Sequence, residues 1–372
     1  MKIALLGYGT VGKSVAKLLS ARQTDIEIKT ILRRSGKADA PGMTDRYADI
    51  LEDPEISTVV EVLSGCDPAA DYIRQALSAG KHVVSANKAA LASDFPGFLR
   101  LAEKHGVSLL YEASCGGGIP WLENIKKAAA FDQIHALSGI LNGTGNYIID
   151  RMETEGAEFS EALSSAQALG YAEADPTADI GGYDIRNKAL ISCTLAYGSE
   201  ITTNFPVLGI EKLTKAVLDL LHAQHKSLRL MMYSVRRENA YAVGVAPIVL
   251  PDTSIEAHVR KNFNCAALCG DFVGELKFYG QGAGGDPTAD AVIQDLLLIR
   301  DGKASPVRLQ NELHYDETLL SGTGYFAKGG NGMQDTQLIT QTGTLAELIR
   351  TARAENIFMA FEPAPLETSK AV

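Results

Sequence analysis

The most constraining feature of this chain is a glycine-rich turn in a particular setting. Lys2 to Leu6 reads KIALL, a short apolar run. It leads directly into Gly7-Tyr8-Gly9-Thr10-Val11-Gly12, and then into apolar residues at helical spacing, Val15, Ala16, Leu18 and Leu19. Strand, turn and helix in that order are what G-x-G-x-x-G needs to bind a dinucleotide. The first glycine permits the tight turn, the second lets a pyrophosphate approach the backbone, and the third lets helix and strand pack closely. N–H groups at the helix start then face the anion. Gly7, Gly9, Thr10, Val11 and Gly12 are therefore the expected cofactor contacts. The alternative is a glycine-rich turn that binds nothing.

The next segments repeat the alternation. Ile26 to Leu32 reads as a strand, and it ends in Arg33-Arg34-Ser35-Gly36-Lys37. An acid at that point would hold a ribose 2′-hydroxyl, whereas positive charge suits a 2′-phosphate. Arg33 and Arg34 therefore favour NADP, with NAD as the alternative carrier and an exposed basic loop as the bland reading. Thr58 to Leu63 and Lys81 to Asn87 read as buried strands, with a helix from Asp67 to Ala79 stopped at Gly80. Lys88 follows a strand's carboxyl end, where doubly wound sheets hold their ligands. It can face the nicotinamide or simply open the next helix, and position alone does not separate these. A helix over Asp94 to His105 and a strand over Val107 to Tyr111 lead to Glu112-Ala-Ser-Cys115-Gly116-Gly117-Gly118-Ile119-Pro120. Its glycines free the backbone to turn carbonyls toward one point beside Glu112, which suits a hard cation. The alternative is a flexible crossover. Pro120 fits the first turn of a helix from Trp121 to Ala130. The whole reads as an α/β, Rossmann-type nucleotide-binding domain over 1–130.

Near residue 130 the alternation changes. Gln133 to Leu141 reads as a strand, Asn142 to Asn146 as a polar turn opening a helix over Tyr147 to Met152, and Phe159 to Leu169 as a helix. That helix delivers Gly170 to Lys188, GYAEADPTADIGGYDIRNK. Glu173, Asp175, Asp179 and Asp184, with Glu200 just beyond, surround Arg186 and Lys188. Pro176, Gly181 and Gly182 prevent one long helix, leaving a loop that can aim acids inward. Asp184 and Lys188 then share one helical face, which taken alone is an exposed ion pair. Lys212 to Ala223 reads as a helix, and strands lie between Ser227 and Leu250 and between Ala266 and Tyr279. This is an α+β catalytic and dimerisation domain with a mixed sheet, over 131–285. The loop Gly280 to Thr288 opens a helix, Ala289 to Arg300, expected to return to the first domain (286–310). Gln337 to Phe361 reads as strand, helix, strand within a short C-terminal extension, 311–372, too short for a complete regulatory domain and ending in a loose terminus.

The formal net charge of -10 and the absence of a basic cluster argue against a nucleic-acid surface. No apolar run reaches the length of a membrane span. Met1 opens directly into strand-like sequence, leaving no room for a signal peptide. Five scattered cysteines fit a reducing cytoplasm better than a disulfide framework.

Six segments in this order, GYGTVG (7–12), SANKAAL (85–91), EASCGGGIP (112–120), GILNGTGNYI (139–148), GYAEADPTADIGGYDIRNK (170–188) and GQGAGGDPTADAV (280–292), resemble homoserine dehydrogenases. The resemblance implies NAD(P)-linked interconversion of L-homoserine and L-aspartate 4-semialdehyde, on the way to threonine and methionine. It implies that Glu173 and Asp184 bind substrate with support from Asp179, and that Asn142, Gly143 and Thr144 line the cleft. It implies catalytic roles for Lys88 and Lys188, cofactor contacts at Gly170 and Gly282, and a sodium site on Glu112 with the carbonyls of Cys115, Gly117 and Ile119. A homodimer is also implied. GTGNY and GGYD vary slightly from the commonest wording of the family, and the tail is too short for the regulatory module many bacterial members carry. The rival readings are another two-domain NAD(P) oxidoreductase of a sugar or amino acid, which leaves the acid-rich stretch unexplained, and an inactive cofactor sensor, for which loss of a lysine or of Asp184 would be the sign.

Overall fold

The computed structural model describes residues 1–22, 24–38, 40–304, 306–329 and 335–365. It separates into two compact units, one of Met1–Asn124 with Ala283–Gln310, the other of Ile125–Gly282 with the described residues from Asn311 onward.

In the first unit the chain runs β1 (Lys2–Leu6), α1 (Thr10–Ala21), β2 (Glu27–Leu32), β3 (Met43–Thr44), α2 (Tyr47–Leu51), β4 (Thr58–Glu61), α3 (Ala69–Ser78), β5 (His82–Ser85), α4 (Lys88–Ser93), α5 (Phe95–His105) and β6 (Leu109–Leu110). Among the described residues these strands form a six-stranded parallel sheet in the order β3-β2-β1-β4-β5-β6. Ile3 to Leu6 and Val59 and Val60 are fully buried, which is why β1 and β4 read as unbroken apolar runs: both faces of a parallel sheet are covered. The order reverses between β1 and β4, so the ligand crevice opens above their carboxyl ends. Two strands are shorter than the sequence suggests. β5 stops at Ser85 because Asn87 caps α4, and β6 stops at Leu110 because Tyr111 enters a tight turn over Glu112–Ser114.

The boundary between the units falls within α6 (Trp121–Ala129). The second unit then builds β7 (Ile134–Ile140), α7 (Gly143–Glu155), α8 (Phe159–Ala168), α9 (Thr177–Ile180), α10 (Tyr183–Tyr197), α11 (Lys215–His222), β8 (Lys226–Arg237), β9 (Ala240–Pro251), β10 (Phe263–Gly270) and β11 (Gly274–Gln281). Helix α12 (Gly285–Arg300) belongs to the first unit, where Ala289, Val292 and Leu296 share a core with Ile3, Val15 and Val84. Back in the second unit come β12 (His314–Tyr315), β13 (Ser321–Gly329), β14 (Thr336–Thr344), α13 (Leu345–Glu355) and β15 (Met359–Pro363). The described strands make a nine-stranded mixed sheet, β11-β10-β7-β8-β9-β15-β13-β14, with β12 also paired to β9. Its pairs are antiparallel except that β15 and β12 run parallel to β9.

The segment read as a short extension is thus an integral part of this sheet. Helix α13 starts with a capping box, Thr344 and Glu347 satisfying each other's backbone N–H. It buries Leu345, Leu348 and Ile349 against Met231, Ala246, Ile248 and Phe361. Cutting the chain after α12 would strip that face. Residues 330–334 and 366–372, with the terminus expected to be loose, lie outside the described residues. No helix among the described residues is long and apolar enough to cross a membrane.

Candidate active site

The fingerprint glycines do what the spacing demands. Gly7 has φ of +101°, a left-handed conformation that disfavours a side chain. A Cβ on Gly12 would lie 2.3 Å from the Gly7 carbonyl oxygen, so α1 and the turn touch backbone to backbone. At Gly9 nothing lies within 4 Å of that position, the open face a pyrophosphate requires. These two glycines should therefore behave differently. Gly12→Ala should destabilise the unit by about 1–3 kcal/mol through overpacking. Gly9→Ala should melt normally yet bind the dinucleotide about tenfold more weakly. Thermal melts beside a cofactor titration test this, and normal affinity in Gly9→Ala would mean that the dinucleotide does not approach here.

At the end of β2 the Arg33 guanidinium stands 5.6 Å from the ring centroid of Tyr8, the residue between the first two fingerprint glycines. Such a contact is worth about 0.5–1 kcal/mol at an accessible site, enough to bias the rotamer of Arg33. Arg34 is exposed. Tyr8 was not foreseen, because an aromatic in a variable fingerprint position carries no signal until β2 is placed beside β1.

Lys88 is the first residue of α4 and is half-buried. Asn87 caps this helix: its Oδ1 accepts from the Ala90 N–H at 3.1 Å, and its Nδ2 donates to the Gly65 carbonyl at 2.7 Å. The same Nδ2 lies 3.3 Å from Glu61, the fully buried last residue of β4. Glu61 also accepts from the Leu63 N–H at 2.8 Å and the Ser85 hydroxyl at 2.6 Å. Burial pushes its carboxyl up from the ordinary glutamate value, against the pull of these bonds. This network was also missed. Its members are isolated polar residues at the ends of adjacent apolar strands.

In the loop after β6, Glu112 accepts from the N–H groups of Leu122 at 3.0 Å and Glu123 at 2.7 Å, so its carboxylate caps α6. The Glu112 N–H in turn donates to Asp295 of α12 at 2.9 Å. Gly116 and Gly117 are both left-handed, and the Ile119 carbonyl accepts from Trp121 at 2.7 Å. No cluster of three or more His, Cys, Asp or Glu side chains able to hold a metal occurs among the described residues. The donors that the resemblance implies for sodium are different in kind, one carboxylate and backbone carbonyls, all of them oxygen.

In the second unit the acid-rich stretch folds as a short helix and a long one. Pro176 begins α9, and Gly182, with φ of +81°, turns the chain into α10. Asp184 and Lys188 are both buried on α10. The Lys188 ammonium donates to Asp184 Oδ2 at 2.8 Å and to the Leu141 carbonyl at the end of β7. Asn142 completes the cluster. Its Oδ1 accepts from the Gly145 N–H at 2.6 Å, capping α7. That fixes the amide so that Nδ2 donates to Asp179 at 2.7 Å and to Asp184 at 2.9 Å. Asn142 thus joins the Asp179 and Asp184 carboxylates, the second of which pairs with the Lys188 ammonium. The sequence suggests a polar turn with a helix from Tyr147. Instead α7 starts at Gly143, because Asn142 supplies the cap.

The other expected residues scatter more. Glu173 is exposed, its backbone carbonyl accepting from Gln167 at 3.1 Å. Asp175 folds back on Thr177, accepting from its N–H and hydroxyl at 3.1 and 2.6 Å, and stays outside the cluster. Glu200 is exposed. The Thr144 hydroxyl donates to the Tyr171 carbonyl at 2.6 Å, pinning the turn before Glu173. A Cβ on Gly143 would lie 2.6 Å from the Asn262 carbonyl, which explains that glycine. Gly170 is left-handed at the end of α8, and Gly282 lies against the Asn264 side chain.

A parallel sheet with a dinucleotide fingerprint, joined in one chain to a unit carrying a buried acid–lysine pair, defines an NAD(P)-linked oxidoreductase. Residues 120–297 match the homoserine dehydrogenase family, and residues 7–112 match its NAD-binding domain. Homoserine dehydrogenase of Synechocystis sp. is 36% identical over 80% of this chain and 73% of its own length, and that of Corynebacterium glutamicum 33% identical over 93% and 82%. The crystal structure of a homoserine dehydrogenase from Thiobacillus denitrificans superposes with a TM-score of 0.86 at 28% identity, covering 97% of this chain and 98% of that one. The chain belongs to the homoserine dehydrogenase family, whose reaction is the NAD(P)-dependent interconversion of L-homoserine and L-aspartate 4-semialdehyde.

Proposed function

We propose that this enzyme works with NADP as its preferred carrier, that Asp184, Asp179 and Glu173 receive the substrate ammonium, and that Lys188 and Lys88 handle the proton. The observation that carries this reading is the cluster of buried Asn142, Asp184 and Lys188 with half-buried Asp179. An amino acid brings an ammonium at one end and the reacting carbinol at the other. Fixing the ammonium on acids held by Asn142 orients the carbinol carbon and removes most of the entropic part of the barrier. A bound NADP⁺ would supply the acceptor for the hydride that leaves that carbon. The hydroxyl proton must leave at the same time, and an uncharged lysine amine takes it. In the reverse direction a protonated lysine polarises the aldehyde and returns the proton. Lysine, with a reference pKa of ~10.4, is suited to the second task.

Glu112 and the carbonyls of Cys115, Gly117 and Ile119 would hold a sodium ion that stiffens the loop into α6. Further proposals are a cytoplasmic location, supported by five free cysteines, and a homodimer. The sheet of the second unit supports the dimer with a concavity of about 390 Å³ lined by Ser138, Met231, Tyr233 and Ile248 among others. A second copy of the chain would cover that face.

Absorbance at the reduced-nicotinamide band, with homoserine and each carrier in turn, tests both substrate and carrier. NADP should give the higher kcat/KM, and Arg33→Ala should erode that preference by about tenfold or more by removing a charge-assisted phosphate contact. Equal use of NAD and NADP by the wild-type enzyme, untouched by Arg33→Ala, would refute the carrier assignment.

A further inference from the structure

We propose that Glu61 is a positioning residue for Lys88: its buried side chain ties the turn after β4 to the end of β5 and to the cap of α4, so that the lysine is fixed at the sheet's carboxyl edge. The inference rests on the assignment of Lys88 to the reaction.

Glu61 is fully buried, and its partners are the Leu63 N–H, the Ser85 hydroxyl and the Asn87 amide, none of them charged. A buried carboxyl with neutral partners is a poor way to stabilise a core, since burying it costs more than a neutral group of the same shape. The network's reach accounts for it better. Through Leu63 it holds the turn after β4. Through Ser85, whose hydroxyl also accepts from the Asn87 N–H at 3.1 Å, it holds the last residue of β5. Through Asn87 it reaches the residue that caps α4 and precedes Lys88. Asn87 alone bridges Glu61, Gly65 and Ala90. Lys88 therefore starts a helix whose first turn is anchored on two sides. A loose anchor would let its ammonium drift, and a misplacement of about 1 Å can cost on the order of 100-fold in rate. Glutamine keeps the shape of Glu61 and offers both a donor and an acceptor, so it can keep the network, whereas leucine cannot.

The test uses the full chain, homoserine and NADP, with NADPH binding measured separately. Glu61→Leu should lower kcat by about tenfold or more while the NADPH Kd stays within about threefold, and Glu61→Gln should recover to within about threefold of wild type. Adding Glu61→Leu to Lys88→Met should cost almost nothing further in kcat, because both changes remove the same contribution. Should Glu61→Leu fail to fold, Ser85→Ala removes one link and should show the same split between kcat and Kd. Wild-type kcat in both Glu61→Leu and Ser85→Ala would overturn the proposal. So would a Glu61→Leu loss that adds fully to that of Lys88→Met, or one matched by an equal loss of NADPH affinity. A wild-type enzyme inactive on homoserine would instead sink the functional reading itself.

Discussion

Replacing Lys188 with methionine should lower turnover on homoserine by more than ~100-fold, the scale of a lost proton-transfer group. Two effects compete in that variant. The ammonium lies buried between Asp184 and the Leu141 carbonyl, so its loss also breaks a buried ion pair with Asp184. Breaking a buried pair in this way costs about 3–5 kcal/mol, within reach of a whole domain's stability. The loss of rate must therefore be read on protein shown to be folded by circular dichroism. Lys188→Met combined with Asp184→Asn removes both charges and should recover part of the stability with none of the turnover. Near-normal turnover in folded Lys188→Met would remove Lys188 from the chemistry and leave it as a counter-charge that holds Asp184 in place.

What could be read from the chain followed the range of the interactions. The fingerprint was legible because its physics is local: six consecutive residues carry a turn, a close contact and an open face, and Gly7, Gly9 and Gly12 show all three. The pairing of Asp184 with Lys188 was legible for the same reason, one helical turn. The role of Asn142 was not, because its acids lie 37 and 42 residues further along the chain, and nothing near Asn142 announces them. Glu61 was hidden in the same way, since Ser85 and Asn87 meet it only across parallel strands joined by a crossover helix. The tail misled for a third reason. β13 reads SGTGYFAKG, poor in β-branched residues, and becomes a strand only by pairing with β14 on one side and β15 on the other. Glu173, prominent in the acid-rich stretch, is exposed, so its proposed share in holding substrate depends on the turn that Thr144 pins.

Lys88→Met should also lower turnover by more than ~100-fold, but with a different signature. Lys88 is half-buried at the first position of α4, and the cap that holds this helix comes from Asn87. Removing the ammonium leaves the cap, the Glu61 network and the fingerprint in place. The NADPH affinity should therefore stay close to wild type, and loss of half-buried Lys88 should cost less melting temperature than loss of the buried Lys188. Because the remaining structure is intact, Lys88→Ala leaves a space at a defined place, and a small primary amine such as methylamine, supplied in solution, should restore a measurable part of the turnover. The restored rate should rise with pH as more of the amine becomes uncharged, if the amine acts as the proton acceptor during homoserine oxidation. In the direction of semialdehyde reduction the dependence should invert, because there the charged amine is the active form. Opposite slopes in the two directions would identify Lys88 as the proton carrier. Rescue that ignores pH in both directions would make it an electrostatic group and leave the proton to Lys188.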